Sequence, residues 1–194
     1  MTRDNTSLDT FRLQQHRYFL LIAFEEAEKS LLAGTFPIGA IIVDDDGQIV
    51  GRGHNQVFSA EDSTAHAEME ALRDARPLRV DAATKRYLPR SHTLYTTAEP
   101  CLMCAGAIIM SNIRQVVWAA NDPANGAIRL FKTLSWPDTA HHILHKVERL
   151  EVIASPFADL AARQIELMKT WNASRGRPGD VWTRKSESEP WLPS

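Results

Sequence analysis

Apolar residues recur at helical spacing from about Asp9 to Leu32, at Leu13, Phe19 or Leu20, Phe24, Ala27 and Leu31. The positions between them are rich in Glu and Gln, and Gly34 stands where a helix C-terminus favours glycine. One long amphipathic helix is expected. The period then changes. Pro37-Ile-Gly-Ala-Ile-Ile-Val43 is short, β-branched and almost continuously apolar, the pattern of a strand buried on both faces. Residues 44–47 read as a turn and residues 48–52 as the returning strand of a hairpin. A polar loop opens at Gly53-His54-Asn55 and runs to Ser63. A second helix is expected from Thr64 to about Ala75, capped by Ser63 or Thr64. Residues 76–91 are irregular. Residues 92–97 are β-branched and aromatic, hence a strand, and Pro100 suits the first turn of a third helix ending near Met110. Residues 115–120 and 147–153 read as further strands, separated by a stretch broken at Pro123, Gly126 and Pro137. Ser155-Pro156 is a good helix start, and residues 157–171 are helical in period. Strands alternating with helices predict an α/β chain, its sheet covered on both faces, in one domain of residues 1–173. Beyond Ala173 the composition shifts to Arg, Gly, Pro, Ser and Glu, so residues 174–194 are expected to form a tail that can close over a site.

Composition narrows the class. The chain has 194 residues, 44% hydrophobic and 24% charged, the balance of an ordinary globular protein. Its formal net charge of -2 provides no global field that draws it to a polyanion. The N-terminus lacks a long apolar run ahead of a cleavage site, and no stretch is long enough to cross a bilayer, so a cytoplasmic location without membrane attachment is expected. The two cysteines, Cys101 and Cys104, fall within one four-residue stretch. A disulfide framework would spread its cysteines along the chain; a C-x-x-C pair is instead a metal clamp or a redox pair.

The chemistry concentrates in Thr64-Ala-His-Ala-Glu68 and Glu99-Pro-Cys-Leu-Met-Cys104. Cysteines at i and i+3 share one helix face and can reach one ion. Both segments open helices, where the dipole favours a thiolate. His66, Cys101 and Cys104 supply three zinc ligands, which leaves a position for water, with Glu68 beside it as proton carrier. A thioredoxin-like redox pair would belong to a βαβ unit and has no use for a His-x-Glu pair. A purely structural zinc would need a fourth ligand. His54, His92, His141, His142 and His145 are available by count, but a structural site has no use for the carboxylate at Glu68. His141 and His145, with His142 between them, are at spacing for a second metal, although a helix surface explains them better.

The combination His-x-Glu with Pro-Cys-x-x-Cys is the signature of zinc nucleobase deaminases. At these residues the chain resembles the cytidine and deoxycytidylate deaminase superfamily, in the branch of cytosine deaminase, guanine deaminase and tRNA adenosine deaminase. The resemblance runs from about Phe36 to Ala127 and includes Pro37-Ile-Gly-Ala, Gly51-Arg-Gly-His-Asn55, Leu94-Tyr-Thr-Thr and Gly106-Ala-Ile-Ile-Met110. It implies a three-layer α/β/α sandwich around a five-stranded mixed sheet, one Zn2+ per chain and a homodimer. It also implies that Glu68 carries protons, that Asn55 hydrogen-bonds the base, and that the backbone of Ala67 and Glu99 contacts the substrate and the leaving amine. Phe36 or Trp118 is a candidate to stack on the ring. Asp180 and Trp182 are candidate contacts from the tail.

Three substrates fit this resemblance. Gly51–Asn55 and Gly106–Met110 are most similar to cytosine deaminase. Thr64–Glu68 with Ala98-Glu-Pro-Cys is similar to guanine and tRNA adenosine deaminases, and Asn121-Asp-Pro-Ala-Asn-Gly-Ala127 resembles the loop of the tRNA enzymes. The acidic net charge and the unbasic last helix weigh toward a small nucleobase or nucleoside and against tRNA. The counter-signal is the segment from Arg73 to Arg90, with six Lys or Arg against two Asp. The expectation is therefore hydrolytic deamination of a cytosine- or guanine-like heterocycle, with tRNA adenosine as the alternative. A non-catalytic partner subunit is the third reading, and the intact Glu68 argues against it.

Overall fold

The computed structural model describes residues 3–75, 80–81, 83–86, 91–111, 113–133 and 141–176. The first helix, α1, runs Arg3–Leu32. The strands β1 (Gly39–Val43) and β2 (Ile49–His54) form the expected hairpin. Then follow α2 (Ala67–Asp74), β3 (Thr93–Ala98), α3 (Leu102–Met110) and β4 (Gln115–Ala120). The chain continues through α4 (Ile128–Thr133), α5 (His141–Arg149), β5 (Glu151–Ala154) and α6 (Ala158–Ser174).

The sheet has five strands in the order β2-β1-β3-β4-β5. β1 pairs antiparallel with β2 and β3, whereas β3–β4 and β4–β5 are parallel. The sheet is therefore mixed, and helices cover both faces. Alternate strand residues feed two cores. Ala40, Ile42, Leu94, Val116 and Trp118 pack with α2, α3 and α5. Ile41, Val43, Tyr95, Val117 and Ala119 pack with α1 and Leu160 of α6. This double burial explains why β1 reads as an almost continuous apolar run and why β3 and β4 are rich in β-branched and aromatic residues. The architecture is the expected three-layer α/β/α sandwich.

Three local expectations are corrected. Val147 belongs to α5, not to a strand. Leu144, Val147 and Leu150 fall on one helical stripe, with Val147 and Leu150 buried, and the strand starts only at Glu151. Leu13 is 45% exposed, so the buried stripe of α1 starts at Phe19. The cap of α2 is His66, not Ser63 or Thr64. Asp62 holds the preceding turn by accepting hydrogen bonds from the backbone N and Oγ1 of Thr64 (each 2.7 Å), which delays the helix by one turn.

Small residues set the height of α2 above the sheet. A Cβ on Gly53 would lie 2.2 Å from the Ala67 carbonyl oxygen and 2.3 Å from the Ala71 nitrogen. Gly51 likewise lies against Ala71 and Ala75. The helix backbone therefore rests directly on β2, and its first turn sits beside the C-terminal end of β3.

Candidate metal centre and active site

His66 and Cys101 occupy equivalent places. Each is the N-cap of its helix in extended conformation, and neither makes a side-chain cap bond. The unpaired amides and positive dipole ends of α2 and α3 therefore converge on one point. His66 Nδ1 lies 3.6 Å from Sγ of Cys101 and 3.6 Å from Sγ of Cys104. The ligand atoms of His66, Cys101 and Cys104 all lie within 4.8 Å of one another. One nitrogen and two sulfurs at this spacing fit the coordination sphere of a zinc ion. Among the described residues this is the one cluster with such a donor set, and none of the histidines considered for a fourth ligand joins it. The His141, His142 and His145 side chains are exposed on α5.

The electrostatics suit a metal. The Cys101 thiol is pulled down to about 4, first by its hydrogen bond with Cys104 and then by His66. Cys104 is pushed the other way, by the same bond and by burial. His66 is raised, chiefly by Cys101. A cation placed between the two sulfurs removes the reason for them to share a proton.

Glu68, in the first turn of α2, is 3% exposed. Burial is the main cause that raises its pKa above the ordinary carboxylate value. Thr96 Oγ1 of β3 donates to its Oε1 at 3.4 Å. A carboxyl group held in this way is more readily protonated than a solvated one, which suits a group that carries a proton.

His66, Glu68 and Cys101 line a cavity of about 380 Å³ together with Phe36, Asn55, Glu99, Asp122, Asn125 and Met168. Asn55 is 1% exposed, and its Oδ1 accepts hydrogen bonds from Thr35 Oγ1 (2.7 Å) and from the Val57 amide (3.1 Å). Those two bonds fix the amide plane and present Nδ2 as the group free to donate. Phe36, a candidate to stack on the ring, lines the cavity. Trp118 does not line it. Its side chain is fully buried in the α2–α3 core, and its Nε1 donates to Asn121 Oδ1 at 2.8 Å. Ala67 is buried in that core between the two residues that reach the cavity. Asp180 and Trp182 lie outside the described residues.

Glu99 has a use that its sequence context does not suggest. Its carboxylate is buried and accepts hydrogen bonds from Arg129 Nε (2.9 Å) and Nη2 (2.7 Å), and from the amides of Asp122 and Arg129 (3.3 Å each). It anchors the loop that brings Asp122 and Asn125 to the cavity. Gly126 makes this possible, since a Cβ there would lie 2.4 Å from the Glu99 carboxyl carbon. Asp122, Asn125 and Met168 escaped the sequence reading as cavity residues. The spacing Asp122-x-x-x-Gly126-Ala127 is the signal that could have found the first two.

Residues 13–120 match the family model of the cytidine and deoxycytidylate deaminase zinc-binding region. The tRNA-specific adenosine deaminase of Aquifex aeolicus is 38% identical over 135 residues, 69% of this chain and 85% of that protein. The tRNA-specific adenosine deaminase of Streptococcus pyogenes is 38% identical over 140 residues, 72% of this chain and 83% of that one. A solved structure from a study of A-to-I editing by tRNA:A34 deaminases at the wobble position is 32% identical. Its TM-score is 0.60, and the match covers 76% of this chain and 99% of that one. The guanine deaminase of Nitrosomonas europaea shares the fold, at 23% identity and TM-score 0.58 over 80% of this chain and 83% of its own.

Proposed function

The chain belongs to the cytidine and deoxycytidylate deaminase zinc-binding family, and we propose that within it the protein deaminates adenosine in transfer RNA to inosine. Zinc is its cofactor, and hydrolysis of a ring C–N bond is its class of reaction. The observation that carries the finer reading is the 38% identity to tRNA-specific adenosine deaminases across 85% of the Aquifex protein's length. The guanine deaminase likeness, at 23%, speaks for fold alone. This reverses the order expected from charge. A net charge averages the whole surface, whereas an RNA loop meets only the part around the cavity.

In this reading His66, Cys101 and Cys104 hold zinc, which when bound supplies the electrostatic activation of water that hydrolysis needs at neutral pH. Glu68 takes one proton from the attacking water and passes it to the adenine ring nitrogen, then takes the second from the hydroxyl added to carbon and gives it to the amine as the C–N bond breaks. Water is consumed and ammonia released. Asn55 Nδ2 donates to the flipped base, and Phe36 bounds it on one side. Glu99 holds the Asp122–Gly126 loop in place. A homodimer accompanies this reading, supported by α3. There Leu102 and Met110 are 64% and 51% exposed, and Gly106 between them has open space above it.

The test is inosine formation by the zinc-loaded protein on a tRNA with adenosine at the wobble position, read by reverse transcription and by ammonia release. Conversion of that adenosine, with no turnover of cytosine, guanine, adenine or their nucleosides, is the expected result. Turnover of one free base with silence on the RNA would restore the small-molecule reading.

A further inference from the structure

The aromatic wall of the cavity continues to the surface. Phe36 packs on Trp171 of α6 and on Phe58, with ring centroids 4.2 and 5.4 Å away. Phe58 and Trp171 are stacked at 6.0 Å, with planes 26° apart. Trp171 is buried, and its Nε1 donates to the Gly34 carbonyl at 3.4 Å. Phe58 belongs to the loop after Asn55 and is 51% exposed. The Arg175 guanidinium lies 4.1 Å from the Trp171 ring centroid and 5.4 Å from that of Phe58. Met168 and Trp171 follow one another along α6 and Arg175 is its C-cap, so this helix face leads from the cavity to the arginine.

A single exposed phenylalanine is ordinary. This one rests on two further rings, continues the wall of the catalytic cavity and has a cation beside it. Sites for single-stranded nucleic acid combine these parts, with rings to stack on bases and cations to meet phosphates. A free base would fill the cavity and leave Phe58 and Arg175 untouched. A flipped adenosine in a loop necessarily brings its neighbours to the rim.

We infer that Phe58 is a stacking platform for the nucleobase next to the reacting adenosine, and that Arg175 meets the phosphate joining the two. The inference rests on the RNA reading above. It assigns specificity for a single-stranded flank to residues outside the zinc site.

The test uses anticodon-arm RNA with the full-length, zinc-loaded protein. Inosine formation by the wild type is measured first, and silence there removes the RNA reading and this inference with it. With the wild type active, Phe58→Ala is expected to lower kcat/KM about ten- to a hundredfold, mainly through KM, with an unchanged Tm. Phe58→Trp should restore it. Phe58→Leu should not, although it keeps the apolar bulk. Arg175→Ala should flatten the salt dependence. RNA made abasic at the stacked neighbour should lose the same factor with wild type and nothing more with Phe58→Ala. Activity of Phe58→Ala within about twofold of wild type, or full activity of Phe58→Leu, overturns the inference. So does a Phe58→Ala loss that adds to the abasic loss but merges with that of Trp182→Ala, because the ring would then serve the chain's own tail.

Discussion

Glu68→Gln leaves the fold and the zinc in place and lowers single-turnover deamination by at least about a hundred- to ten-thousandfold, the usual range for a positioned general acid–base. The substitution keeps the shape of the side chain and an Oε1 that accepts from Thr96. It removes only the ability to carry a proton. Burial works against the charged form of Glu68, so a neutral amide costs the fold nothing, and the Tm should be no lower than that of the wild type. Zinc stays at one ion per chain by elemental analysis, because Glu68 is not among the ligands. Turnover within about tenfold of wild type would move the proton transfer to another group and reopen the choice of mechanism.

Removing a ligand produces the complementary result. Cys104→Ala or prolonged chelation should release zinc, stop turnover and lower the Tm together. Cys104 is fully buried at the start of α3, and His66 caps α2. An ion held by these residues would tie α2 to α3, and its binding free energy would count toward stability. A loss of about 3 kcal/mol corresponds to roughly 10 °C in a domain of this size. Added zinc should reverse the chelated case and not the variant. A Cys104→Ala protein with full zinc occupancy would disprove the ligand set. The two substitutions separate roles that a simple activity assay merges, since one keeps metal and stability and the other loses both.

The candidate zinc ligands and the proposed proton carrier stand out in the sequence because such chemistry tolerates few residue types. His66, Glu68, Cys101 and Cys104 stand in two short segments whose spacing is set by helix geometry. The strands were legible for a different reason: β1, β3 and β4 are buried on both faces, so their residues are mostly apolar, β-branched or aromatic. The stretch after β4 was opaque. Pro123, Gly126 and Pro137 mask the two short helices between β4 and β5, and Val147 fits a strand pattern as well as a helical one. The Glu99–Arg129 pair joins residues 30 positions apart, a relation that no local pattern carries. Met168 reaches the cavity from α6 only because α6 packs beside β4. The substrate was least legible, since overall charge says little about the rim of one cavity.

The contact between β2 and α2 has an implication for variation. Gly51 and Gly53 do not line the cavity, yet a methyl group on either would displace the helix that carries His66 and Glu68. A lift of even a few tenths of an ångström at Ala67 moves the carboxyl group relative to the ion. In a saturation map of the chain, these two glycines should be as intolerant as the zinc ligands. A reader of that map alone would count them as part of the active site. They are better described as the datum from which its heights are measured.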